Sequence, residues 1–161
     1  MFFEHCIYLN AGQLTPRATL ERLLSFVEHH PLDPIDEYRE GYYHAFDESF
    51  LVSAYRKSEK SVALVRAEYG INVDTTVGFS LYRANYSENF RKMFRIAIAT
   101  FKHFEGDMLF AADVDEFYLF RRGKDVYYNI HPDLWEADGP IAIDIPHIKV
   151  RHEINTPQPG M

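Results

Sequence analysis

The chain has 161 residues, 47% hydrophobic and 25% charged, which suits one domain with a real core and is too apolar for a disordered or low-complexity chain. A net charge of −7 argues against nucleic acid as a partner, because phosphate neutralisation needs clustered Lys and Arg. No basic leader followed by an apolar stretch is present, and no segment nears the roughly eighteen apolar residues of a membrane span, so the expectation is a soluble, unexported, cytoplasmic protein.

Residues 2–9 read as a strand, with Cys6 as a small buried hydrophobe suited to a reducing compartment. "LTPRATLERLLSFVEHH" predicts a helix: Thr15 is its N-cap, Pro16 fits the first turn, Leu20, Leu23, Leu24 and Val27 make one stripe, and Pro31 and Pro34 stop it. "GYYHAFDESFLVSAYR" predicts a hairpin of two short strands around Asp47, Glu48 and Ser49. "SEKSVALVRAEYG" predicts a short helix from Ser58 to Gly70, and "DTTVGFSLYR" alternates as a strand buried on one face. In "NYSENFRKMFRIAIATFKHFEG", Phe90, Met93, Phe94, Ala97, Phe101 and Phe104 form the apolar face of a long helix, Asn85 and Glu88 have capping-box spacing, and Gly106 ends it.

Strands follow at 107–112, 117–122 and 125–130, the last two joined through Gly123. The end of the chain is punctuated by Pro132, Pro140, Pro146, Pro157 and Pro159, with "IAIDIPHIKV" as a candidate edge strand and 153–161 as a frayed tail. Neighbouring strands are joined too tightly for parallel crossovers. The expected fold is therefore a single α+β domain over 1–152, a largely antiparallel sheet with about three helices packed mainly on one face.

Two stretches carry candidate chemistry. Asp113, Asp115 and Glu116 stand between an apolar run and an aromatic one, where Asp side chains that bond their own backbone favour a hairpin turn. The alternative is a metal site. Residues two apart on a strand share a face, so Asp113 and Asp115 could grip a divalent cation in the manner of the aspartate-x-aspartate element of metal-dependent glycosyltransferases, or serve another phosphate-processing enzyme. Against this, the chain has no glycine-rich phosphate loop and lacks the nucleotide-binding half that precedes the motif in those enzymes.

The second stretch is acidic and aromatic. Between Pro31 and Phe50 six acids, Asp33, Asp36, Glu37, Glu40, Asp47 and Glu48, face one base, Arg39. Asp36, Glu37 and Glu40 accompany Tyr38, Tyr42 and Tyr43, a mixture that meets a basic protein with charge outside and aromatic anchors inside. Its bland reading is a solvated loop whose tyrosines cover the core, and aromatic surface also serves homodimers. The basic residues Arg91, Lys92, Arg95 and Lys102 fit the solvated face of an amphipathic helix. The eight histidines show no zinc spacing and read as capping or surface residues, and no serine or cysteine stands in a nucleophile motif. No catalytic residue and no cofactor is expected.

The order of elements resembles small immunity proteins of bacterial polymorphic toxin systems. The matching features are Phe79 and Arg83 before a helix, a strand beginning near Gly106 and Asp107, and a hairpin with Leu119, Arg121, Gly123 and Asn129, over about residues 2–135. The resemblance implies a non-enzymatic protein that occludes a cognate antibacterial toxin in the cytoplasm. The partner-binding residues expected on that reading are Asp36, Glu37, Tyr38, Glu40, Tyr42, Tyr43, Asp113, Asp115 and Glu116, facing a toxin that is basic, as many intracellular toxins are.

Overall fold

The computed structural model describes residues 4–26, 34–113, 116–135 and 139–152. Its first strand, β1 (His5–Leu9), alternates strictly: Ile7 and Leu9 belong to one apolar cluster, Tyr8 to another on the opposite side. His5 is in phase with Ile7 and Leu9 and is buried in the core, which corrects the surface role expected of the histidines. Helix α1 (Pro16–Leu24) starts as expected, with the Thr15 hydroxyl accepting the Ala18 N–H at 3.1 Å and Leu20, Leu23 and Leu24 buried. The expected continuation through Val27, His29 and His30 and the stop at Pro31 lie outside the described residues, as does Asp33.

The acidic aromatic stretch is not a loop. It contains a strand, β2 (Asp36–Arg39), which turns at Gly41 (φ 78°) into β3 (Tyr42–Phe46). The expected hairpin follows as β3 and β4 (Phe50–Arg56), its turn closed by the Asp47 carboxylate accepting the Ser49 and Phe50 amides. Helix α2 (Glu59–Tyr69) is capped by Ser58 and ends at Gly70 in the left-handed conformation, and β5 (Thr75–Leu81) follows. Helix α3 (Tyr86–His103) forms where its apolar face predicts, but without the capping box. Asn85 has φ 60°, and a residue in that conformation does not present its side chain to the first-turn amides. Instead the Asn89 carboxamide donates to the Tyr82 and Ala84 carbonyls and stitches the helix to the end of β5.

The remaining strands are β6 (Met108–Asp113), β7 (Glu116–Arg122), β8 (Asp125–Asn129) and β9 (Ile148–Val150), with a single 3-10 turn at Pro132–Leu134. Among the described residues nine strands join one sheet in the order β2-β3-β4-β5-β1-β6-β7-β8-β9, antiparallel except for β8–β9. The fold is α+β, and β9 is the edge strand expected of "IAIDIPHIKV". It runs parallel to β8, a pairing that needs the long connection between the two strands.

Of the three α-helices among the described residues, two share a face. Leu20, Leu23 and Leu24 of α1 and Met93, Phe94 and Ala97 of α3 pack with Ile7, Val52, Val77 and Phe110. Helix α2 lies on the other side, with Val65 and Tyr69 against Tyr8, Leu109, Phe117 and Phe120. It therefore covers β1, β6 and β7, and among the described residues no helix covers the same face of β2, β3 and β4. A bulge in β7 re-aims one ring: Phe117 pairs with Ala111 and Leu119 with Phe110, so Tyr118 is the extra residue and joins Leu119 on the α3 side.

Candidate partner-binding surface

The uncovered face is built by strand alternation. Along β3, Tyr43 and Ala45 turn toward α1, while Tyr42, His44 and Phe46 turn outward. Their rings form a connected set. Tyr38 stacks on His44 (4.5 Å, 11°) and stands edge-on to Tyr42 (6.0 Å), Tyr42 stacks on Tyr55 (4.9 Å, 22°), and Phe46 stands edge-on to His44 (5.0 Å). The Arg39 guanidinium lies 3.7 Å from the centroid of the Tyr42 ring. Tyr38 and Phe46 are each 40% exposed, large for aromatic side chains. Asp36 and Glu40 are exposed on the same hairpin, so acids fringe the rings.

Beneath the rings lies an unsatisfied polar pair. Asp36 is directly opposite His44, His44 opposite Ser53 and Ser53 opposite Gly78, one row across β2, β3, β4 and β5. Ser53 is fully buried, and neither its hydroxyl oxygen nor Nδ1 of His44 has a hydrogen-bond partner among the described residues. Such groups are rare in native proteins, and each costs about 1–3 kcal/mol when left unmet. Farther along the face, Lys57 sits 3.8 Å from the Tyr8 ring centroid, and burial brings its pKa down to about 8. The Cys6 thiol is pushed up, chiefly by burial.

The sequence-derived site residues do not all meet. Tyr38 and Tyr42 share the uncovered face, with Asp36 opposite His44 in its row. Tyr43 packs on the other side against the main core, and a hydrogen bond to the Glu37 carboxylate raises its phenol above the usual range. Glu40 is in the turn. Asp113 pairs with Glu116 at the end of the β6–β7 hairpin, at the opposite end of the sheet from the Arg39–Tyr42 turn and separated from β2 by β3, β4, β5 and β1. The two acidic stretches therefore form no common surface. Asp115 lies outside the described residues, and among those described no group of three or more His, Cys, Asp or Glu is placed to hold a metal ion.

His44, Ser53, Tyr55 and Phe46 belong to the face and were missed. The alternation of "YYHAF" against "FLVSAYR" carries them, once the phase that buries Val52 and Ala54 is known.

A family model described as SitI3-like matches residues 9–139. The chain belongs to the SitI3-like family. No curated protein and no solved structure matches it. The matched segment includes all of the aromatic face and the β6–β7 hairpin of this SitI3-like chain.

The residues singled out around that hairpin have framework roles. Arg121 donates to the Gly106, Phe101 and Phe104 carbonyls at 2.6–2.7 Å, closing the end of α3. The Asp107 carboxylate accepts the Asn72 and Gly123 amides. Buried Asn129 donates to the Phe117 and His152 carbonyls and accepts the His131 and His152 amides.

Proposed function

We propose that the protein is an immunity protein that binds a cognate antibacterial toxin in the cytoplasm and neutralises it by occlusion, with the uncovered face of β2, β3 and β4 as the contact. The family supports the kind of protein, since SitI names suggest immunity proteins. The observation that carries the surface is the exposed ring set with its acidic fringe. Tyrosines give large contact area at small entropic cost, and a negative fringe speeds encounter with a basic partner.

The test is co-expression with a toxin encoded by a neighbouring gene, followed by a binding titration. The wild-type chain protects the cell and forms a one-to-one complex. Alanine at Asp36, Glu37, Glu40 and Tyr42 together weakens the complex by roughly a hundredfold or more while leaving the melting temperature within a few degrees. Unchanged affinity in that variant removes the surface from consideration. Because acids set the association rate more than the dissociation rate, the loss from the three acids alone should shrink as salt is raised.

A further inference from the structure

We infer that the partner anchors itself on this face through an arginine, whose guanidinium is received by the aromatic set and by the unmet pair His44 and Ser53. This rests on the toxin-binding reading and names the chemistry of the contact.

Three observations converge on a guanidinium. First, the polar atoms on His44 and Ser53 have no partner among the described residues, and their residues are direct cross-strand neighbours, roughly 5 Å apart at Cβ. A single incoming group can meet both, and a guanidinium, with five donors in a planar fork of fixed geometry, spans two neighbouring polar atoms better than the compact, strongly hydrated ammonium with its three. Second, the charge is right: Asp36 stands opposite His44, and Glu40 lies in the turn of the same hairpin beside Arg39. Third, the surface already takes a guanidinium over a ring, since Cζ of Arg39 lies 3.7 Å from the Tyr42 ring centroid.

Tyr38 is the ring that must yield. It covers His44 by stacking, yet it sits on the edge strand and is 40% exposed, so it can swing aside and re-stack on the arriving group. Among the described residues the covered pair has no partner, and the arriving guanidinium supplies one.

The probes are hexa-arginine and hexa-lysine peptides, titrated at 0.15 M salt and followed by tyrosine fluorescence and ring NMR signals. Hexa-arginine should bind roughly tenfold tighter than hexa-lysine, and Ser53→Ala and His44→Phe should each remove most of that preference. Ser53→Ala deletes a buried hydroxyl that has no partner among the described residues, so its melting temperature should hold or rise while its arginine preference falls. A merely structural role would move both the same way.

Equal affinity for the two peptides, or a preference that survives both substitutions, overturns the inference and leaves simple attraction to the acidic fringe. A toxin that needs Tyr42 but is indifferent to His44 and Ser53 also overturns it while the toxin-binding reading stands. Arginine selectivity in a chain that protects against no toxin overturns the reading and leaves the socket. Concentration-dependent self-association blocked by Tyr42→Ala assigns the face to a second copy and overturns both.

Discussion

His5 is held between two tyrosines, with Nε2 3.1 Å from the Tyr86 hydroxyl and Nδ1 3.4 Å from that of Tyr118, while the Phe90 ring stands edge-on at 5.5 Å. Burial brings its pKa down from 6.5 to about 4. The unfolded chain therefore takes up a proton before the folded one as pH falls. Stability is full above about pH 6.5 and is lost on the way down toward pH 4, by about 2–3 kcal/mol at pH 4.5 from this group. Urea denaturation at pH 7 and 4.5 should show that loss, and His5→Gln, which cannot titrate, should show less of it. Such a residue was legible only by its phase with Ile7 and Leu9. Counting metal spacings gave no hint of it, because what defines His5 is the pair of hydroxyls brought from α3 and β7. The unmet atoms on His44 and Ser53 were hidden for the same reason: satisfaction is a property of neighbours in space.

Among the elements, α3 depends on a residue outside itself. Its last carbonyls have no partner within the helix, and Arg121 of β7 reaches back to satisfy Phe101 and Phe104 together with Gly106. Arg121→Met should destabilise the protein by about 2–4 kcal/mol, because it leaves the part-buried Phe101 and Phe104 carbonyls unmet. Arg121→Lys should recover only part of that, since a point charge does not fork. Guanidinium denaturation of the three proteins distinguishes these outcomes. Asn129 plays the equivalent part for β8 and the end of β9, and Asn129→Ala should cost about 2–4 kcal/mol on the same measurement.

Elements with a buried face were legible, as the stripe of α3 and the alternation of β5 show. Strand β2 was not. All four of its residues are exposed and its pairing with β3 shifts register between Glu37 and Arg39, so no period of two is written in "DEYR". The same charges and bulge blunt the edge it presents.

At the scale of the whole molecule, the α+β class follows from composition and connection lengths, but the strand order does not. The register of β1 against β5 and β6 is set by which apolar faces meet across the sheet, and many partners offer similar faces. The candidate surface shares this limit. The sequence marks an acidic aromatic stretch, yet only the order β2-β3-β4-β5 shows that its outward rings lie together and that Glu37 and Tyr43 belong to the other side.

The central place of β1 also governs how the chain reaches this structure. It is synthesised before either neighbour, and it pairs with strands that begin at Thr75 and Met108. Until both exist, Ile7 and Leu9 have no sheet to close against, and the strand offers two open edges at once. Closing such long loops is slow, so refolding followed by the fluorescence of Trp135, the single tryptophan, should relax in milliseconds to seconds and not in microseconds. On the ribosome the vulnerable interval is longer still. A nascent chain that has passed β5 but not β6 carries an unfinished sheet with β1 unpaired on one edge, and it is at that point that a holding chaperone has most to protect.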